Sequence, residues 1–158
     1  GSDVTSIWVV QWGPGRVECF YPKGSQAGLS MEDLGRMQVL DGSSNPFMAY
    51  QTHFMWKCGL AVYNDRCIQR IANIESAGAS NLFDDDDLIT ALNRLPGGRR
   101  GTVIYCNPTV KTQMDILAKD KSNVSYSSAE IFGVPVTTFQ GVPVRVCESI
   151  LNTETALS

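Results

Sequence analysis

One long alternating stretch, NPFMAYQTHFMWKCGLAVYNDR (residues 45–66), constrains the fold of this chain more than any other feature. Residues two apart in a β-strand share a face of the sheet. One face carries Gln51, His53 and Lys57, whereas the other carries Met48, Tyr50, Thr52, Phe54, Trp56, Cys58, Leu60 and Val62. Because ordinary strands have about five or six residues, the pattern predicts one unusually long strand that is apolar on one face.

The aromatic residues bear on what such a strand packs against. Trp8, Trp12, Tyr50, Phe54 and Trp56 fall in two strand-like regions. For most of them the favoured interpretation is a core in which a sheet packs on a helix. The alternative is a sheet edge completed by a neighbouring subunit, because a long uncovered edge is a template for strand pairing.

The first half of the chain is predicted to be mainly β-structure. Residues 6–12 and 16–21 flank a Gly-Pro-Gly turn and are expected to form a hairpin. Ser30, with Asp33 three residues later, resembles a capping box that opens a short helical turn. Residues 37–41 are a further candidate strand, and residues 66–74 are expected to continue or pair with the sheet of the long strand.

The second half predicts an alternation of helices and strands. Apolar residues at helical spacing follow residues 84–87, and Pro96 ends that helix. A buried strand over residues 101–106 precedes a second helix, with Asn107 as N-cap and Pro108 at its first position. The buried face of this helix is expected to contain Val110, Met114 and Leu117. Residues 136–139 and 142–147 return to strand, so the predicted fold class is α+β.

Four parts of the chain are distinguished on this basis. Residues 1–2 are interpreted as the remnant of a cleaved purification tag, which would make the chain a fragment. Residues 3–74 form a mainly β region with the long strand, and residues 75–140 form a helix–strand–helix region. Residues 141–158 hold a terminal strand that returns to the sheet.

Composition and charge exclude several classes of function. The 158 residues suit one domain with its own core. The net charge is -3, and Arg99–Arg100 is the only adjacent basic pair, so no sequence-specific nucleic-acid site is predicted. No apolar run approaches the roughly 20 residues of a membrane-spanning helix, so no membrane partner is expected.

Five cysteines are present, and none of them forms the Cys-x-x-Cys spacing of zinc sites. Most lie in apolar runs, which predicts buried free thiols in a reducing compartment. Cys106 precedes a helix, whose dipole could lower its pKa. Because Asn107 takes the capping position, a reactive thiol at Cys106 is the less favoured interpretation.

Two interpretations are possible for the aspartate run, which consists of Asp84, Asp85, Asp86 and Asp87. It forms either a divalent cation site or the start of a helix. Calcium loops space their acidic ligands and include a turn glycine, whereas carboxylates at a helix start oppose the helix dipole. The helix start is favoured. His53, the only histidine, is expected to be a cross-strand neighbour and not a general base. We assign no catalytic, cofactor-binding or metal-binding residue and expect no cofactor.

Four stretches together resemble one podovirus-type subfamily of the major capsid proteins of tailed bacteriophages. They are SIWVVQWGPGRVECFYPKG, THFMWKCGLAVYNDRCIQRIANI, VIYCNPTVKTQMD and TTFQGVPVRVCESILNTETAL. The resemblance covers most of residues 6–157 and is weakest over residues 75–87. It implies the tailed-phage capsid fold, in which the long strand belongs to the elongated sheet of the peripheral domain. The strand–helix unit at residues 103–115 then corresponds to the axial domain.

The resemblance further implies a structural, non-enzymatic coat protein that assembles into hexamers and pentamers of an icosahedral shell around phage DNA. Its expected location is the virion capsid, after synthesis in the bacterial cytoplasm, with scaffold and portal proteins as further partners. The N-terminal arm, extended loop and spine helix of the family have no counterpart before Trp8. Two alternatives are an encapsulin-type cellular shell and a small intracellular enzyme with a site at the aspartate run or Cys106.

Overall fold

The computed structural model describes residues 3–78, 80–120, 126–131 and 134–157. Within these residues six strands precede the first α-helix, and the second half contains both helices together with further strands, which confirms the predicted α+β class. The first strands are β1 (Val4–Gln11), β2 (Val17–Phe20), β3 (Leu29–Leu40), β4 (Pro46–Trp56), β5 (Gly59–Val62) and β6 (Ile68–Glu75). They are followed by α1 (Asp85–Asn93), β7 (Thr102–Cys106), α2 (Pro108–Asp120), β8 (Tyr126–Ile131), β9 (Val134–Phe139) and β10 (Val142–Val146).

The first compact unit contains residues 1–18 and 62–158 and is built on a six-stranded sheet. The strand order is β6-β1-β7-β10-β9-β8. Strand β1 pairs antiparallel with both β6 and β7, whereas β10 runs parallel to β7. The sheet is therefore mixed, and the terminal strand β10 lies inside it.

The core of this unit lies where the two helices cover the sheet. Its buried side chains come from the sheet, from both helices, and from Phe83 and Leu95 on either side of α1. They are Ile7, Val9, Ile74, Phe83, Leu88, Ala91, Leu92, Leu95, Ile104, Cys106, Val110, Met114, Phe139, Val142 and Val144. Burial of such side chains is the main favourable contribution to folding.

Both helices begin where the sequence predicts. The side chain of Asp84 caps α1 by accepting a hydrogen bond from the Asp86 amide at 3.1 Å. Asn107 caps α2 by accepting a hydrogen bond from the Val110 amide at 2.8 Å. Val110 and Met114 are buried in the core, and Leu117 packs against it while partly buried. These predictions are confirmed. The caps could be predicted from the sequence because a cap depends only on residues within one turn.

The second compact unit, residues 19–61, contains the predicted long strand, but that prediction is wrong in one respect. The alternating stretch forms two strands, β4 and β5, separated by Lys57 and Cys58. Strand β4 pairs with β3, and β5 pairs with β2 in another two-stranded sheet. Pairing of Gly28 with Lys57 ends the β3–β4 pair, with the Lys57 amide donating to the Gly28 carbonyl at 2.9 Å.

Three further expectations need correction. Strand β2 pairs with β5 and not with β1, so residues 6–12 and 16–21 do not form a regular hairpin. Ser30 and Asp33 belong to strand β3 and open no helical turn. Residues 68–75 form β6, which pairs with β1 in the six-stranded sheet instead of joining the sheet of β4.

Candidate interaction surface

Strands β3 and β4 form a two-stranded antiparallel ribbon, hereafter the ribbon, which extends over residues 29–56. Directly opposed residues of an antiparallel pair point to the same face. The register sets Leu29 opposite Trp56 and Met31 opposite Phe54, which places four apolar side chains on one face. Farther along, Tyr50 lies opposite Arg36 on this same face, which we call the apolar face.

The opposite side of the ribbon, which we call the polar face, carries polar residues in its middle part. There Glu32 lies opposite His53, and Gln51 lies opposite Gly35. A bulge between Asp33 and Gly35 interrupts the register, and the Gly35 amide donates to the Asp33 carboxylate at 2.9 Å. The predicted role of His53 as a cross-strand neighbour agrees with its position opposite Glu32.

The apolar face is exposed along its length. The exposed fraction is 85% for Tyr50, 70% for Trp56, 66% for Met31, 63% for Phe54 and 46% for Leu29. The prediction that most of the aromatics belong to a core is therefore wrong for Tyr50, Phe54 and Trp56. The chain buries its apolar surface elsewhere, in the first unit.

Hydrogen bonds fix the two ends of the ribbon. At its base the Trp56 indole donates to the Ala27 carbonyl at 3.0 Å. Gly28 has a φ of 89°, and a side chain there would overlap the Lys57 carbonyl, so only glycine suits this position. At its tip, the Asp41 carboxylate accepts from the amides of Ser43 and Asn45, both at 2.8 Å.

The chemistry available to the apolar face is binding and not catalysis. A two-stranded ribbon alone is only marginally stable in water. Contiguous exposed apolar side chains on a folded protein mark contact surfaces for other molecules. Since aromatic residues and Met are enriched at the centres of protein interfaces, the side chains at Met31, Phe54 and Trp56 suit a protein partner.

The aspartate run lies at the start of α1, in the first unit. The ribbon belongs to the second unit, so the two features lie in different parts of the chain. Asp84, Asp85 and Asp86 can each bring one carboxylate oxygen within 4.8 Å of the others. Asp84 uses its carboxylate to cap α1. The groove beside the run has a volume of about 470 Å³, and Ile71, Ile74 and Leu82 contribute to its lining. The assignment of no metal-binding residue remains a prediction.

Cys106 is fully buried at the end of β7. Burial raises its pKa to about 11, and the charges of Lys111 and Asp115 act in opposite directions on it. The thiolate is the reactive form of cysteine. Cys106 therefore has little thiolate at neutral pH. This agrees with the sequence analysis, in which a reactive thiol at Cys106 is the less favoured interpretation.

The prediction of buried thiols is correct for some cysteines and wrong for others. Cys67 and Cys106 are buried, and Cys147 is partly exposed. Cys19 and Cys58 are exposed, because both lie in the second unit near the ends of short strands.

Sequence reasoning missed the contribution of β3 to the apolar face. Leu29 and Met31 alternate with the polar residues Ser30 and Glu32, which is the period of a strand. The Ser30–Asp33 spacing, which is typical of a helix start, competes with this short alternation. The bulge at Leu34 then breaks the alternation, which hides the strand from a pattern search.

Among the described residues, no helix is long and apolar enough to cross a membrane.

Comparisons with known proteins identify a family and solved structures that resemble the chain. The family model described as major capsid protein GP7 matches residues 1–158. A chain in the near-atomic-resolution cryo-EM structure of bacteriophage epsilon15 is 30% identical, with a TM-score of 0.60. The similarity covers 97% of the present chain and 48% of that chain, so the present chain spans about half the length of its structural relative. No curated protein sequence matches the chain.

Proposed function

The chain belongs to the major capsid protein GP7 family, and from this membership we propose that it is a coat protein which self-associates into the icosahedral shell of a phage. Its location is then the virion capsid. The resemblance to the epsilon15 structure over 97% of the chain supports the same assignment. The two chains are 30% identical over that length, which supports a shared role in the shell.

The apolar face of the ribbon is the observation that carries this proposal within the molecule. Phe54 and Trp56 lie opposite Met31 and Leu29 and remain exposed, although the chain has a well-packed core. Full burial of one such side chain contributes about 2 kcal/mol. We assign a neighbouring copy of the chain as the partner, since each copy of a shell protein is surrounded by others of its kind.

The proposal has several finer parts. The protein acts as a structural component and not as an enzyme, and it uses no cofactor. Hexamers and pentamers are its assembly units, and scaffold and portal proteins are its further partners. It is made in the cytoplasm of the bacterial host. The mainly β region belongs to a peripheral domain, and the helix–strand–helix region belongs to an axial domain.

Assembly of variants tests the proposal. In the natural full-length protein, Phe54→Ser removes a large side chain from the apolar face. Truncating a hot-spot residue at the centre of an interface costs about 2 kcal/mol or more, which weakens each contact about 30-fold. We expect the variant to remain as small oligomers at concentrations where the parent forms uniform particles. Sedimentation velocity and negative-stain imaging measure this directly.

His53→Ser is the matched control, because His53 is the neighbour of Phe54 along the chain and lies on the polar face. We expect this variant to assemble like the parent. Normal particles from Phe54→Ser would place the copy-to-copy contact elsewhere. A parent protein that stays monomeric at every salt and protein concentration would overturn the coat function itself.

A further inference from the structure

Two exposed cysteines lie side by side in the second unit. Cys19 is in β2, and Cys58 directly precedes β5, the strand that pairs with β2. Both thiols are free and exposed, and they lie close enough for Cys58 to contribute to the raised pKa of Cys19. The remaining three cysteines are buried or partly buried in the other unit. The two exposed thiols are therefore the ones that combine neighbouring positions in the second unit with access to solvent.

The surroundings of the pair favour reaction with small molecules. An open groove on this unit is lined by Phe20, Tyr21, Trp56, Lys57 and Cys58. It gives a small reagent a path to the Cys58 sulfur. The ammonium of Lys57 lies next along the chain and attracts reagents that carry carboxylates.

The environment of Cys19 sets the pH at which the pair reacts. Desolvation of the thiol, then the charge of Cys58 and the hydrogen bond with it, raise the pKa of Cys19 above its ordinary value. Cys19 therefore retains its proton at neutral pH. Because the groove is lined by Cys58 and not by Cys19, Cys58 makes the first attack and Cys19 resolves the intermediate.

We propose that Cys19 and Cys58 form a redox-active dithiol, which closes to an intramolecular disulfide on reaction with a low-molecular-weight disulfide such as oxidised glutathione. Neighbouring strands place side chains within the range that a disulfide spans. The Tyr63 amide donates to the Arg16 carbonyl at 2.8 Å, so the end of β5 lies beside the start of β2. Cys58, at the start of β5, therefore lies beside the end of β2, where Cys19 is found.

The reaction proceeds in two balanced steps. The Cys58 thiolate attacks one sulfur of the reagent, whose S–S bond breaks and releases one small thiolate. The Cys19 thiol loses its proton to solvent, and its sulfur then attacks the Cys58 sulfur of the mixed disulfide. The second small thiolate leaves, so two protein thiols are oxidised and one small disulfide is reduced to two thiols.

The disulfide would close a loop that contains the whole ribbon, because residues 20–57 lie between the two cysteines. A cross-link across such a loop restricts the unfolded chain. Exposed disulfides of this kind are the readily reversible ones. The pair would thus fasten the base of the ribbon under oxidising conditions and release it under reducing conditions.

The test treats the folded protein with oxidised glutathione, blocks the remaining thiols and maps peptides by mass spectrometry. We expect a Cys19–Cys58 cross-linked peptide from the parent protein, lost again on treatment with dithiothreitol. Cys19→Ser should instead accumulate a stable glutathione adduct at Cys58, because the resolving thiol is absent. Cys147→Ser is the matched control and should form the cross-link at the parental rate.

Two results would overturn the proposal. One is a parent protein in which Cys19 and Cys58 each keep a glutathione adduct without cross-linking. The other is a cross-link between two chains, seen as a dimer on a non-reducing gel, in place of the link within one chain. Blocking and mapping under native conditions also distinguishes either result from oxidation of an unfolded fraction, in which buried Cys67 would react as well.

Discussion

At the scale of single residues, a polar cluster helps to hold the C-terminal segment. The buried Ser6 hydroxyl donates to the Glu154 carboxylate at 2.5 Å and accepts from the Arg70 guanidinium at 3.0 Å. Arg70 also forms a 2.8 Å ion pair with Glu154 and lies over the Trp8 ring. The cluster ties residues after β10 back to β1 and β6.

Removal of the Glu154 carboxylate should therefore loosen this segment. Glu154→Ala leaves the Ser6 hydroxyl without an acceptor and Arg70 without its ion pair, which should lower the free energy of unfolding by about 1–2 kcal/mol. Urea unfolding followed by circular dichroism measures the loss. Glu148→Ala, at an exposed position after β10, is the control and should change stability little. Equal stability of the two variants would contradict a fastening role for the cluster.

Cys106 makes the free energy of unfolding depend on pH in the alkaline range. Burial raises its pKa from 9.0 to about 11, so the folded state keeps a proton that the unfolded state loses. The stabilisation is fully present below pH 9.0 and falls as the pH rises towards 11. The expected slope is at most about 1.4 kcal/mol per pH unit. Cys106→Ala should flatten this slope in urea titrations between these pH values, and an unchanged slope would assign it to other groups.

At the scale of elements, the ribbon depends on the turn at its tip. Hydrogen bonds from the Asn45 and Ser43 amides lower the pKa of Asp41. The turn is therefore stabilised at neutral pH, and this stabilisation disappears as the pH falls below the ordinary value of about 3.9 and through the lowered pKa.

Asp41→Ala should open the turn without affecting the first unit. We expect faster amide hydrogen exchange at Ser43 and Asn45, measured by NMR at neutral pH, because both amides lose their acceptor. Ser43→Ala is the control, since it keeps all backbone groups and the Asp41 carboxylate. Unchanged exchange in Asp41→Ala would show that the backbone hydrogen bonds between Asp41 and Asn45 hold the turn alone.

At the scale of the whole molecule, the core lies entirely in one of the two units. No residue of the core cluster comes from residues 19–61. The ends of the first unit that flank this segment are adjacent, since the Tyr63 amide donates to the Arg16 carbonyl at 2.8 Å. We therefore expect the first unit to fold without residues 19–61.

Replacement of residues 19–61 by a short glycine linker tests this division. We expect the shortened protein to unfold cooperatively on heating, because its core is complete, yet to lose assembly in the full-length context, because the ribbon is absent. Calorimetry reports the first outcome and sedimentation velocity the second. A broad, non-cooperative transition would show that the second unit contributes to folding of the first.

Local features of this fold could be predicted from the sequence alone. The caps at Asp84 and Asn107, the helices that follow them and the strand β7 depend on residues within about one turn or one strand. The resemblance to phage capsid proteins was also visible in four short stretches. It is confirmed by the family match over residues 1–158.

Only the tertiary structure determined which strands pair and whether the apolar face is buried or exposed. A period of two shows that Phe54 and Trp56 share a face, but the same pattern suits a face buried in the core and one left for a partner. Likewise, β1 pairs with β6 and β7, which follow much later in the chain, and not with the next strand. Such pairings depend on the packing of distant side chains, and no local pattern in the sequence encodes them.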